Sequence, residues 1–250
     1  MYKVYENRKR EIISLYETES TNNDLKEIIR KSDEAVFALI KAKKQTTGRG
    51  RLGRSFFSPE GGLYFSLSLP LTGKEKNIPF LTLLAGLAVS EAVEKVSGIE
   101  TEIKWPNDIY LNEKKLGGIL TELVSGKKLC AVVGIGINLN TRKEDFSPEI
   151  KDIATSFVRE GFLPPDEETL ISYIAGFLEE YVYDRCELSE ASDETAQKIR
   201  KRSYSLGRCV RYTTGENVLE GIFTDIKKTG EAEITLADGS KREIFCGEII

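Results

Sequence analysis

Four strand-like runs crowd into the 35 residues between Ile103 and Ile137, and no other feature of the sequence limits the fold as strongly. They cover residues 103–105, 109–111, 116–124 and 129–137. The connections between them are too short for a helical crossover, so these strands are expected to pair antiparallel. A continuous apolar run at 35–40 predicts a further strand. Leu63, Phe65, Leu67 and Leu69 alternate with Tyr64, Ser66 and Ser68, which predicts a half-buried one. The last run, 129–137, reads equally as an edge strand open to homodimer pairing or as a central strand.

Helical patterns flank these strands. Ser20, Thr21 or Asn22 can cap a helix whose apolar face is Leu25, Ile28 and Ile29. Residues 78–96 form a second helix, with Pro79 in its first turn and Gly98 at its end. After the break at Pro164-Pro165, helices are expected over 166–186 and 189–202. Residues 1–19 are polar and read as a loosely held lead-in. From about Tyr204 the texture changes to short strands punctuated by Gly207, Gly215, Gly221, Gly230, Gly239 and Gly247, as in a small β-barrel. A boundary near 203 then divides the chain into domains 1–203 and 204–250. A chain of 250 residues can bury a real core without covalent staples.

The missing residues exclude as much as the present ones suggest. There is no histidine, which removes Ser-His-Asp and Cys-His nucleophile systems and every His-based metal site. Any general base must be Asp, Glu, Lys or the substrate itself. The four cysteines, Cys130, Cys186, Cys209 and Cys246, lie far apart, so neither a zinc site nor a disulfide framework is expected. Lys and Arg total 36 against 40 Asp and Glu, which argues against a general affinity for nucleic acid. The longest apolar stretch, 78–89, is too short to cross a bilayer, and the charged N-terminus lacks an apolar signal region. A cytoplasmic protein without a membrane partner is the expectation.

Against that acidic background, residues 41–54 carry six cations and no acid. Their sharpest part is Gly48-Arg49-Gly50-Arg51-Leu52-Gly53-Arg54. Glycines let backbone N–H groups approach an anion, and arginines supply forked donors for phosphate or carboxylate. The spacing is neither that of a P-loop nor that of a dinucleotide fingerprint. Read alone, the segment could also be a solvated basic turn. Lys104-Trp105-Pro106-Asn107-Asp108 puts Asn107 and Asp108 at a strand end, where they could meet a ligand or Mg²⁺, or simply turn the chain. Lys115 precedes Gly117-Gly118 and can reach over bare backbone to an anion. Gly134-Ile135-Gly136-Ile137-Asn138 sets glycines inside an apolar strand, the mark of close approach by a ligand or another backbone.

Together with Ser20-Thr21-Asn22, Gln45 and Ser58-Pro59-Glu60-Gly61-Gly62-Leu63-Tyr64, these stretches resemble the biotin–protein ligase family, in the family's order and over residues 18–140. Gly247-Glu248-Ile249 fits the small C-terminal domain of that family. The resemblance implies an α+β fold: a mixed, largely antiparallel sheet flanked by helices, like the class II aminoacyl-tRNA synthetase core, followed by an SH3-like β-barrel. It implies an enzyme that activates biotin with ATP and Mg²⁺ as biotinyl-5′-AMP. The enzyme then biotinylates a lysine of a biotin carboxyl carrier protein. About 17 residues precede the first matched stretch, too few for the helix-turn-helix domain of relatives that repress transcription, so no DNA partner is expected.

By the same resemblance Ser20, Thr21, Asn22 and Gln45 recognise the ureido ring of biotin. Gly48, Arg49, Gly50 and Arg51 close over its carboxylate and the ATP phosphates, and Gly118 belongs to the biotin site. Arg54, Asn107, Asp108 and Asn138 lie on the nucleotide side, with Asp108 as the metal candidate. Lys115 lies near the reacting carboxylate and α-phosphate, so Lys115, Arg49 and Arg51 carry the catalysis. Phe56 stands where many relatives have Trp beside adenine. Two rivals remain from sequence: a lipoate–protein ligase on the same fold, and a nucleic-acid-binding module, against which stands the lack of aromatics within the basic stretch.

Overall fold

The computed structural model describes residues 10–73, 75, 77–125, 127–214, 217–245 and 247–249; the first nine residues, Gly215 and Cys246 lie outside the described residues. Strands β1 (Glu11–Thr18), β2 (Ala38–Gln45), β3 (Gly62–Pro70), β4 (Glu102–Lys104), β5 (Asp108–Leu111), β6 (Lys114–Ser125) and β7 (Leu129–Asn138) form one sheet. Their order is β1-β2-β3-β7-β6-β5-β4. Pairing is parallel for β1–β2 and antiparallel elsewhere, including the whole crowded run β4 to β7, as the short turns require. This is the expected mixed, largely antiparallel sheet.

Two strands depart from expectation at its edge and centre. Much of the supposed lead-in is β1, which pairs from Glu11↔Ala38 to Thr18↔Gln45. It buries no residue fully; only Ile13 and Leu15 alternate toward the core beneath α1, and exposed Ile12 and Tyr16 blur that short period. Strand β7 is central, with β3 and β6 on its two sides, and has no edge left for a second copy.

Helices α1 (Thr21–Lys31), α2 (Phe80–Ser97), α3 (Glu167–Glu179) and α4 (Asp193–Lys201) cover both faces. Leu63, Phe65, Leu67 and Leu69 of β3 and Val133, Ile135 and Ile137 of β7 face α2 and α3 in the main core. On the opposite face Leu25 and Ile29 of α1 pack with Ala38, Ile40 and Val132. The second face corrects the half-buried reading of β3: all nine of its residues are buried. Its serines survive there because each is bonded. Ser68 Oγ donates to Val36 O at 2.6 Å and accepts from Ala38 N at 2.8 Å.

Helix α2 is apolar nearly all round because the sheet, α3 and α4 enclose it. Each fully buried Leu or Phe there contributes roughly 1.5–3 kcal/mol. It ends at Gly98, whose φ of 70° is open to glycine without strain. Helix α3 stops short of Cys186 and runs on as a π-helical turn, Glu180–Asp184, while α4 starts late because Ser192 caps it. Among the described residues no helix is long and apolar enough to cross a membrane.

Strands β8 (Cys209–Thr214), β9 (Asn217–Ile226), β10 (Ala232–Leu236), β11 (Lys241–Ile244) and β12 (Glu248–Ile249) form an antiparallel sheet, consistent with an SH3-like barrel. Hydrogen bonds tie this part of the chain to the larger domain. Trp105 Nε1 donates to Gly230 O at 2.9 Å. Glu113, in the β5–β6 turn, accepts from both terminal nitrogens of Arg208 and from the Tyr204 hydroxyl, each at 2.8 Å.

The bonds from Arg208, then that from Tyr204, hold the Glu113 carboxyl down at about 2 instead of 4.5. A carboxylate depressed by folding stabilises the protein above its unfolded pKa and loses that contribution as pH falls from about 4.5 toward 2. Glu113→Gln should therefore lower Tm slightly at pH 7 and not at all near pH 2. Thermal melts across that range check this; a Tm difference independent of pH would refute it.

Candidate active site

On the α1 face of the sheet the strand glycines leave a floor without side chains. Across the β6–β7 pair Gly118 lies opposite Gly136, and Leu120 opposite Gly134. Neighbours use the space. A Cβ on Gly136 would lie 2.4 Å from Phe56 Cε1, and one on Gly134 would lie 2.1 Å from Asn22 Oδ1. The Phe56 ring thus rests on Gly136 and Gly118, with Tyr64 edge-on to it at 6.4 Å.

One wall of the cavity above this floor is neutral and hydrogen-bonded. It grows from the start of α1. Ser20 holds the N-cap position but makes no capping bond and lines the cavity instead. Thr21 N and Oγ1 donate to Gln45 Oε1 at 3.0 and 3.2 Å, and Gln45 Nε2 donates to Ser58 Oγ at 2.9 Å. Thr21 Oγ1 also meets Ser66 Oγ at 2.7 Å, and Ser66 donates to Asn22 Oδ1 at 2.5 Å. Every member has its geometry set by the next, which is how a buried polar chain becomes rigid.

The facing wall is cationic. Residues 48–54 fold as a hairpin over the cavity. Arg49 pairs with Ser55, Gly50 N donates to Arg54 O at 2.8 Å, and Phe56 N donates to Gly48 O at 2.8 Å. Its tip turns through the left-handed region at Leu52 (φ 55°) and Gly53 (φ 75°), and Leu52 is 74% exposed. From this hairpin Arg51 donates to Asn107 Oδ1 at 3.0 Å; Asn107 Nδ2 donates to Asp108 Oδ1 at 3.0 Å; Lys115 Nζ lies 2.8 Å from the same Asp108 oxygen. Lys115 is fixed through its backbone, which donates to Ile153 O and accepts from Thr155 N, both at 2.8 Å. Arg51 and Lys115 therefore flank one amide–carboxylate pair.

Of the site residues expected from sequence, all but Gly48 and Asn138 line this cavity. Gly48 is packed beneath the hairpin, where a Cβ would meet Phe56 O at 2.4 Å. Asn138 is 5% exposed and donates to Thr155 O at 2.9 Å, bracing the segment that clamps Lys115. As site residues, sequence reading missed Gly247 and Ile249, which reach the cavity from the C-terminal part of the chain, and Ser66 and the Lys26–Glu122 ion pair, which brace the neutral wall from behind. The one signal for Glu122 was its place in register with Gly118 and Leu120 on the floor's face.

Among the described residues no three His, Cys, Asp or Glu side chains cluster as a metal site. Asp108 is the only carboxylate among the described residues lining the cavity, and its Oδ1 already takes Lys115 and Asn107. Among the described residues, Asp108 is the one lining carboxylate that would help to hold a Mg²⁺ brought in by an anionic ligand. Such an ion would neutralise phosphate charge.

Comparison with known proteins gives the family of this fold. The Biotin/lipoate A/B protein ligase family matches residues 14–140. The bifunctional ligase/repressor BirA of Bacillus subtilis is 41% identical over 172 residues, which cover 68% of this chain and 52% of that protein. The chain thus spans about half the length of that relative. The biotin–[acetyl-CoA-carboxylase] ligase of Mycobacterium tuberculosis is 30% identical over 231 residues, covering 88% of this chain and 82% of that protein. The biotin protein ligase of Aquifex aeolicus in complex with biotin and ATP superposes with a TM-score of 0.79 at 35% identity, covering 96% of this chain and 97% of that one. By the extent of these matches, the chain belongs to the biotin/lipoate A/B protein ligase family.

Proposed function

We propose that the chain is an ATP-dependent biotin–protein ligase, forming biotinyl-5′-AMP and passing biotin to a specific lysine of a biotin carboxyl carrier protein or domain. The observation that carries this reading is the pairing, within one cavity, of a neutral hydrogen-bonding wall with a cationic one. Biotin has the matching asymmetry: a ureido ring at one end and a carboxylate at the other. Thr21, Asn22, Gln45 and Ser20 suit the ring. A dithiolane in its place would offer nothing to the lone pairs and hydrogens these groups keep spare, and a site built for hydrogen bonds discriminates strongly against a ligand that lacks them. That favours biotin over lipoate.

The first step needs no histidine. The biotin carboxylate is already charged and attacks the α-phosphorus of ATP; pyrophosphate leaves. The task is to bring two anions together and stabilise charge on phosphoryl oxygens, which positioned cations and backbone amides perform. Lys115 and Arg51 suit the reacting centre, and Arg49 and Gly50 the cover over the adenylate. Arg54, Phe56 and Asn107 suit the nucleotide, while Gly48 and Asn138 support the hairpin and Lys115. In the second step the carrier lysine amine attacks the mixed anhydride and AMP leaves. The reading includes a division into domains 1–203 and 204–250, a cytoplasmic setting, and no DNA or membrane partner.

Pyrophosphate release from MgATP tests it directly. Release on adding biotin, but not lipoate, is expected; release with lipoate alone would overturn the choice of substrate. Arg49→Ala should shorten retention of biotinyl-AMP by ~10-fold, the scale of one charged hydrogen bond. Unaltered retention in a trapping assay would remove Arg49 from the cover.

A further inference from the structure

Glu122 has no part in the chemistry above, yet both of its carboxylate oxygens are engaged beneath the site. Oε1 pairs with Lys26 Nζ at 2.7 Å, and Oε2 accepts from Asn22 Nδ2 at 2.8 Å. Lys26 is 8% exposed and Asn22 4%. The remaining bonds of the Asn22 amide are to Leu120 O from Nδ2, at 3.3 Å, and from Ser66 Oγ to Oδ1, at 2.5 Å. Burial pushes the Glu122 carboxyl up, but the hydrogen bonds from Lys26 and Asn22, then the charges of Lys26 and Arg49, outweigh it and hold the group below its usual range, so it is ionised.

An amide has two faces of similar shape and opposite polarity, and its neighbours decide which way it turns. A lysine ammonium can only donate. A carboxylate and a backbone carbonyl can only accept. Lys26 therefore keeps Glu122 charged, Glu122 and Leu120 O demand the NH₂ side of Asn22, and Oδ1 is left toward Ser66 and the open floor at Gly134. Turned over, the amide would set Oδ1 against two acceptors. Oδ1 spends one lone pair on Ser66 and retains the other.

We infer that Glu122, held by Lys26, is a positioning residue that locks the Asn22 amide with its oxygen toward the ligand, so that the site presents an acceptor to a ureido N–H. The inference rests on the biotin reading and deepens it. Glu122 does not touch the substrate; it acts through Asn22.

Glu122→Gln tests it while keeping shape. One amide oxygen then faces two donors. Lys26, being charged, takes it, and the new NH₂ group confronts Asn22 and turns it over. The expected result is a KM for biotin raised ~10-fold, the cost of a mispaired polar contact, with KM for ATP unchanged and Tm lowered because Lys26 loses its counter-charge. The double variant Lys26→Met/Glu122→Gln removes the competing cation and returns the amide oxygen to Asn22. Its KM for biotin should recover to within about threefold of wild type. An unchanged KM for biotin in the single variant would overturn the inference. So would parallel loss of ATP affinity, or a double variant no better than the single one, since mere packing would be worsened by the second change. A wild-type protein without biotin-dependent pyrophosphate release would sink the ligase reading itself, a distinct outcome read before either variant.

Discussion

Lys115→Ala should slow adenylate formation by roughly 10²–10³-fold, the loss expected when one preorganised charge-stabilising donor is removed. Its position explains the size. The Lys115 backbone is gripped by Ile153 and Thr155, and its ammonium is aimed by Asp108 at 2.8 Å. Little reorganisation is needed when negative charge builds on the phosphoryl oxygens, and a donor that need not reorganise is worth more than a mobile one. The nucleophile of this step is an anion, so the barrier lies in electrostatic repulsion and alignment rather than in proton removal. Loss should appear in the first half-reaction, read as pyrophosphate release. Transfer from pre-formed biotinyl-AMP to a carrier should keep most of its rate, because that step attacks an anhydride already made. Equal loss in both steps would mean that Lys115 merely holds the fold, and no loss in the first would exclude it from the reacting centre.

Which parts of the molecule could be read from sequence follows from the range of the forces involved. The β4–β7 meander was evident because turn length is a local property. The cationic hairpin was evident because six cations against an acidic chain is a local property too. Strand β1 is hard to read, since it is an edge strand held by backbone bonds and its inward period is only Ile13 and Leu15, masked by exposed Ile12 and Tyr16. Ser66 and Ser68 looked solvated, and their burial depends on partners from α1 and residues 36–38 that no alternation pattern announces. Glu122 is 100 residues from Asn22 and 96 from Lys26, so its role exists only after folding. Gly48 and Asn138 show the converse. Both belong to motifs that mark the site, and both act from beneath it through Phe56, Ser58 and Thr155.

Gly134→Ala should damage ligand binding strongly, raising the KM for biotin by about 10–100-fold, the worth of one or two mispaired hydrogen bonds in a buried site. The added carbon would lie 2.1 Å from Asn22 Oδ1 and 2.8 Å from its Cγ. An exposed side chain would swing aside. Asn22 is only 4% exposed, and Ser66, Leu120 O and Glu122 all fix its amide, so it cannot. Relief must come from shifting α1 or bulging β7, and either displaces the neutral wall relative to the cations opposite. Gly176→Ala is the natural control. A Cβ there meets nothing within 4 Å, and the position lies inside α3. It should leave the KM unchanged and stabilise the protein by roughly 0.5–1 kcal/mol through helix propensity. A KM for biotin that stays at the wild-type value in Gly134→Ala would show that the Asn22 amide is not the surface the ligand reads. The polar wall would then be structural.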